Sequence, residues 1–72
     1  MSEILQADWQ RVSDFVDDRF SEEVDAYGKS EWFEFRKFLS GETNRRYPGW
    51  GDDRRVLNLI ETLWCEHHDI DA

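Results

Sequence analysis

The chain has 72 residues, a net charge of −8, 36% charged residues and 15% aromatic ones. That length holds a single domain, and a chain so short buries only about 60% of the surface it exposes when unfolded. No apolar run approaches the roughly 20 residues that span a bilayer, and the lone cysteine, Cys65, excludes an intramolecular disulfide scaffold. The N-terminal MSEILQADWQ carries Glu3 and no basic stretch, so it does not read as a signal peptide, and a cytoplasmic protein is expected.

The charge is uneven: −6 over residues 1–28, +2 over 29–55 and −4 over 56–72. An acidic surface is repelled by phosphate and anionic lipid and attracted to basic protein surfaces. The eleven aromatic rings supply the apolar area that a small core otherwise lacks.

The first helix is expected over residues 3–27. Leu5, Trp9, Val12, Val16, Phe20 and Tyr27 fall on one stripe at 100° per residue. Asp14, Asp18, Glu22 and Asp25 line the opposite side. Phe15 lies off the stripe and Glu23 lies in it, and Ser21 offers a fresh cap, so a kink near Arg19 to Ser21 is expected. Gly28 reads as the helix stop.

A second helix is expected over residues 30–40, with Ser30 as its N-cap and Glu31 and Glu34 in its first turn. Trp32, Phe35, Phe38 and Leu39 share one face, and Ser40-Gly41 closes the segment. The run WFEFRKF also alternates, but an isolated strand would have no partner.

Residues 41–51 then form a loop. Pro48 pushes Tyr47 extended, Pro48-Gly49 is a turn pair, and Asp52 or Asp53 caps a third helix over 52–67. Tyr47 and Trp50 are expected to fold back over the core. Val56, Ile60 and Leu63 form the central apolar line of the third helix, flanked by Leu57, Trp64 and Leu59. The fold class is therefore all-α: a small three-helix bundle with an aromatic-rich core and a Pro/Gly loop between helices two and three.

Three clusters carry chemistry. Around the loop, Arg45, Arg46, Trp50, Arg54 and Arg55 are residue types that dominate interface hot spots. They also suit phosphate and base stacking, although the flanking acidity makes a poor nucleic-acid footprint. The acidic row Asp14, Asp18, Glu22 and Asp25 places charges about 6 Å apart along a helix axis, a rough match in scale to a row of phosphates. It is a solvated face or a mimic of DNA. In the C-terminal WCEHHDID, Cys65 and His68 lie one turn apart, without the ligand spacing of an evolved metal site. His67 falls at the apolar edge. No catalytic constellation, glycine-rich phosphate cradle or cofactor motif is present.

In size, acidity and lack of catalytic motifs the chain resembles the small accessory proteins of phages and mobile elements. That is a likeness of type, which assigns no residue. The function expected from the sequence is a non-enzymatic protein-interaction module, an inhibitor or adaptor. It would dock on a larger basic partner through the acidic face, with the Arg/Trp loop or exposed aromatics of the second helix as anchors. A nucleic-acid-binding regulator using the Arg/Trp loop is the alternative. A homodimer would relieve the marginal core.

Overall fold

Three apolar stripes at helical spacing dictate three helices, and each buries its stripe against the other two. The computed structural model describes residues 6–70. Helix α1 spans Gln6–Glu23, α2 spans Trp32–Arg46 and α3 spans Arg54–His67. All three pack against one another as an all-α bundle. No helix among the described residues is long and apolar enough to cross a membrane.

In α1 the stripe Val12, Val16 and Phe20 is buried, and Val24 extends it by one step. Leu5, expected at its start, lies outside the described residues. The helix runs unbroken through Arg19 to Ser21, so the kink expected there is absent. The two residues that suggested it have other roles. Phe15 packs edge-on against Tyr47, ring centroids 5.6 Å apart. Glu23 turns its carboxylate to Arg19 at 3.5 Å.

The break comes after Glu23, in two 3₁₀ turns, Val24–Ala26 and Lys29–Glu31. Gly28 has φ −79°, so it is no left-handed helix stop. Its N–H instead donates to Glu31 Oε1 at 2.7 Å while its carbonyl accepts from Glu31 N–H at 2.9 Å. This reciprocal bond caps the 3₁₀ turn Lys29–Glu31 that leads into α2, whose own N-cap is Glu31 rather than the expected Ser30, which stays exposed in the turn.

Helix α2 corrects the sequence reading most. It does not close at Ser40-Gly41 but continues to Arg46. The reason is tertiary: Phe35, Leu39 and Thr43 form one core stripe at steps of four, and all three are fully buried. Thr43 tolerates burial because its hydroxyl donates to the Leu39 carbonyl at 2.9 Å. Arg45 and Arg46 therefore belong to the last helical turn, where cations oppose the negative end of the helix dipole. Pro48 supplies the actual stop, by forcing Tyr47 out of helical geometry.

The connection is two successive turns. Trp50 N–H donates to the Tyr47 carbonyl at 3.1 Å, and Asp53 N–H donates to that of Trp50 at 3.0 Å. Gly49 takes φ +91°, as the position after proline in a type II turn requires. Tyr47 and Trp50 pack back onto the core. Asp53 caps α3, its Oδ1 accepting from Arg55 N–H at 2.8 Å.

Along α3 the buried line is Val56, Ile60 and Trp64, with Leu57, Leu59 and Leu63 half-buried beside it. Trp64 thus takes the central place expected of Leu63. Past His67 the chain closes in a Schellman turn: Ile70 N–H donates to the Cys65 carbonyl at 2.8 Å, with Asp69 at φ +55° in the position glycine often fills.

Candidate functional site: two charged faces

Arg19 organises the charge on one side of the bundle. Its guanidinium reaches Glu22 at 3.0 Å, Glu23 at 3.5 Å and Glu42 of α2 at 3.2 Å. The hydrogen bond to Glu22 and the neighbouring carboxylates raise its pKa further. Three acids thus share one cation across the α1–α2 seam. Glu42 also takes Arg45 at 3.5 Å.

The outward side of α1 has no such compensation. Asp14, Asp17 and Asp18 are exposed and form no ion pair among the described residues. Asp14 accepts only a neutral hydrogen bond from Gln10 at 3.1 Å. Arg11 is exposed one turn earlier and is likewise unpaired among the described residues. The acidic row continues through Glu22, although Arg19 neutralises part of that charge. Asp25 lies beyond the end of α1, in the 3₁₀ turn Val24–Ala26. Its carboxylate lies 3.7 Å from His67 Nε2 of α3, a pair that is charged only when His67 is protonated.

The basic cluster is divided by the fold. Arg45 and Arg46 stand at the end of α2, where they line a cleft of about 230 Å³ with Phe15, Arg19 and Glu42. The Arg46 guanidinium stacks 5.0 Å over the Tyr47 ring. Arg54 and Arg55 stand exposed on the first turn of α3, a turn with no acidic residue. A cation there opposes the helix dipole, costing about 0.3–1 kcal/mol. Trp50, between the two pairs, is half-buried on the core and is not a free stacking platform.

Among the described residues no three His, Cys, Asp or Glu side chains converge as metal ligands would. His68 does not pair with Cys65. Its ring packs tilted against Trp64, centroids 4.1 Å apart, and meets His67 edge-on at 5.0 Å. Its Nε2 is buried with no hydrogen-bond partner among the described residues. His67 lies at the apolar edge, packed edge-on against Phe20 at 6.0 Å.

Burial, with help from His67 and Lys29, pushes the His68 imidazole below its ordinary value of 6.5. The neutral ring is therefore favoured by folding, and below that value the unfolded chain binds more protons. Stability is expected to fall as pH drops from neutral through the mid-sixes toward the folded value. Thermal midpoints measured across that range should fall less steeply in His68→Gln. An equal slope in the variant would remove His68 as the cause.

The sequence matches no family model, no curated protein and no solved structure.

Proposed function

We propose that the protein is a non-catalytic interaction module that docks on a basic protein surface through the outer face of α1. One observation carries this reading: Arg19 is engaged by three carboxylates while Asp14, Asp17 and Asp18 project outward and, Arg11 one turn away notwithstanding, form no ion pair among the described residues. Such an array destabilises the free fold slightly by self-repulsion and is relieved when a cationic surface arrives. It also steers encounter with such a surface, and so sets partner choice and on-rate. An inhibitor that occludes a nucleic-acid site, or an adaptor, fits this chemistry.

The test is retention of a partner from source-cell extract on immobilised protein, eluted by a salt gradient. Asp14→Lys with Asp18→Lys spares the Arg19 cluster and should leave helicity intact. A stoichiometric basic partner is expected on the native protein and should be lost, or elute at clearly lower salt, with the double variant. If the basic site normally holds nucleic acid, duplex DNA should compete. Unchanged retention by the double variant would end the proposal. A low-salt gel shift abolished by Arg54→Glu with Arg55→Glu would replace it with the nucleic-acid reading.

A further inference from the structure

Among the described residues, half of one face of α2 is left uncovered. Phe33, Lys37, Ser40 and Asn44 follow one another at helical steps of four, three and four, so they form a single ridge. The connection to α3 covers the far end of that ridge. Gly51 sits directly on Ser40 and Asn44, and its N–H donates to Asn44 Oδ1 at 2.8 Å. The chain then turns away into α3, and the Phe33 end of the ridge stays exposed among the described residues.

What remains is a groove of about 360 Å³ lined by Phe33, Arg36, Lys37, Ser40, Asp52 and Leu57. Phe33 is 70% exposed, the large apolar side chain that stands out among the described residues. It is also on the wrong side for the core, because Phe35, two positions on, is turned by about 200°. The Arg36 guanidinium lies 5.1 Å over the Phe33 ring. Neither Arg36 nor Lys37 meets a carboxylate within ion-pair distance among the described residues. In a chain with 17 acids and nine bases, two adjacent unpaired cations beside an exposed ring are a local inversion of the molecule's character. Asp52 on the far rim supplies one acceptor for a backbone or side-chain N–H.

We infer that this groove is a second docking site, independent of α1, which takes an acidic peptide segment of another protein carrying one large apolar side chain. The apolar side chain lies between Phe33 and Leu57. Carboxylates flanking it pair with Arg36, whose planar fork binds them bidentately, and with Lys37. With α1 facing a basic surface and this groove facing an acidic peptide, the chain would join two partners of opposite charge.

Selection of a random peptide library displayed on phage against the native protein tests both faces at once. Enriched peptides are synthesised with a fluorophore and their affinities read by anisotropy. One enriched class should combine acidic residues with a single phenylalanine, tryptophan or leucine. Its binding should weaken at least about tenfold with Phe33→Ala and with Arg36→Glu, survive Arg36→Lys better, and be unaffected by Asp14→Lys with Asp18→Lys. Basic peptides, if selected, should show the reverse pattern, so failure of one face is distinguishable from failure of the other. Absence of an acidic–apolar class, or unaltered binding by Phe33→Ala and Arg36→Glu at native helicity, overturns the inference. So does sedimentation showing a dimer that Phe33→Ala dissociates, since a second copy would then be the occupant.

Discussion

Gly51→Ala is expected to be among the most damaging single-atom additions in this protein. An added Cβ would lie 2.1 Å from the Ser40 carbonyl oxygen and 2.6 Å from the Asn44 side chain. Asn44 can rotate away, but the Ser40 oxygen is backbone inside α2 and cannot. The connection must lift, and lifting breaks the Gly51 N–H bond to Asn44 Oδ1. Overpacking of this kind costs about 1–3 kcal/mol, and the lost hydrogen bond about 1 more. In a domain of this size the thermal midpoint should drop by roughly 10–25 °C. Gly41 is the internal control: it lies inside α2 with open space where a Cβ would go. Gly41→Ala should therefore gain about 0.8–1 kcal/mol from helix propensity alone. Thermal unfolding of the two variants side by side checks the argument. Similar midpoints would show that the connection does not press on α2.

The contrast between these glycines marks how far local sequence reaches. From sequence, Gly41 reads as the end of the second helix and Gly51 as part of the loop that follows. Gly41 is carried through by the stripe Phe35, Leu39 and Thr43, a tertiary demand that overrides a local stop signal. The polar Thr43 hid the last step of that stripe. Gly51 is constrained not by φ but by what lies beneath it, which no window of neighbouring residues contains. Where the causes are local, the reading holds: the Pro48-Gly49 turn, the Asp53 cap, the end of α3 at His67 and the Val12–Val16–Phe20 stripe.

The same division runs through the candidate sites. The acidic row on α1 follows from spacing alone, as far as Glu22. The pairing of Arg19 with Glu22 and Glu23 is legible at steps of three and four, but its bond to Glu42, 23 residues away, could not be read from spacing. The exposure of Phe33 was equally hidden. In WFEFRKF aromatics fall all around the helix, so periodicity does not say which ring the core claims. A faint signal was present: Phe35 keeps step with Leu39, and Phe33 with Lys37.

Phe35→Ala is expected to remove a large part of the stability of the native fold. The ring is fully buried at the centre of the aromatic core, with Phe20 at 5.3 Å, Tyr27 at 5.1 Å and Trp64 at 5.1 Å between ring centroids. These neighbours come from α1, α3 and the connection after the first 3₁₀ turn, so no single rearrangement can fill the space. Truncating such a ring costs about 3–5 kcal/mol. A domain of this length has a total stability of only about 4–11 kcal/mol. The variant should unfold at much lower urea, with weakened near-ultraviolet dichroism, while Phe35→Leu should lose only about 1–2 kcal/mol. The consequence reaches the surface. Phe35 fixes the rotation of α2, and that rotation is what sends Phe33, Arg36 and Lys37 outward. Peptide binding in the groove should therefore weaken markedly with Phe35→Ala and persist with Phe35→Leu, although neither substitution touches the groove. A cooperative transition in Phe35→Ala within about 1 kcal/mol of the native protein would mean that another contact sets the orientation of α2.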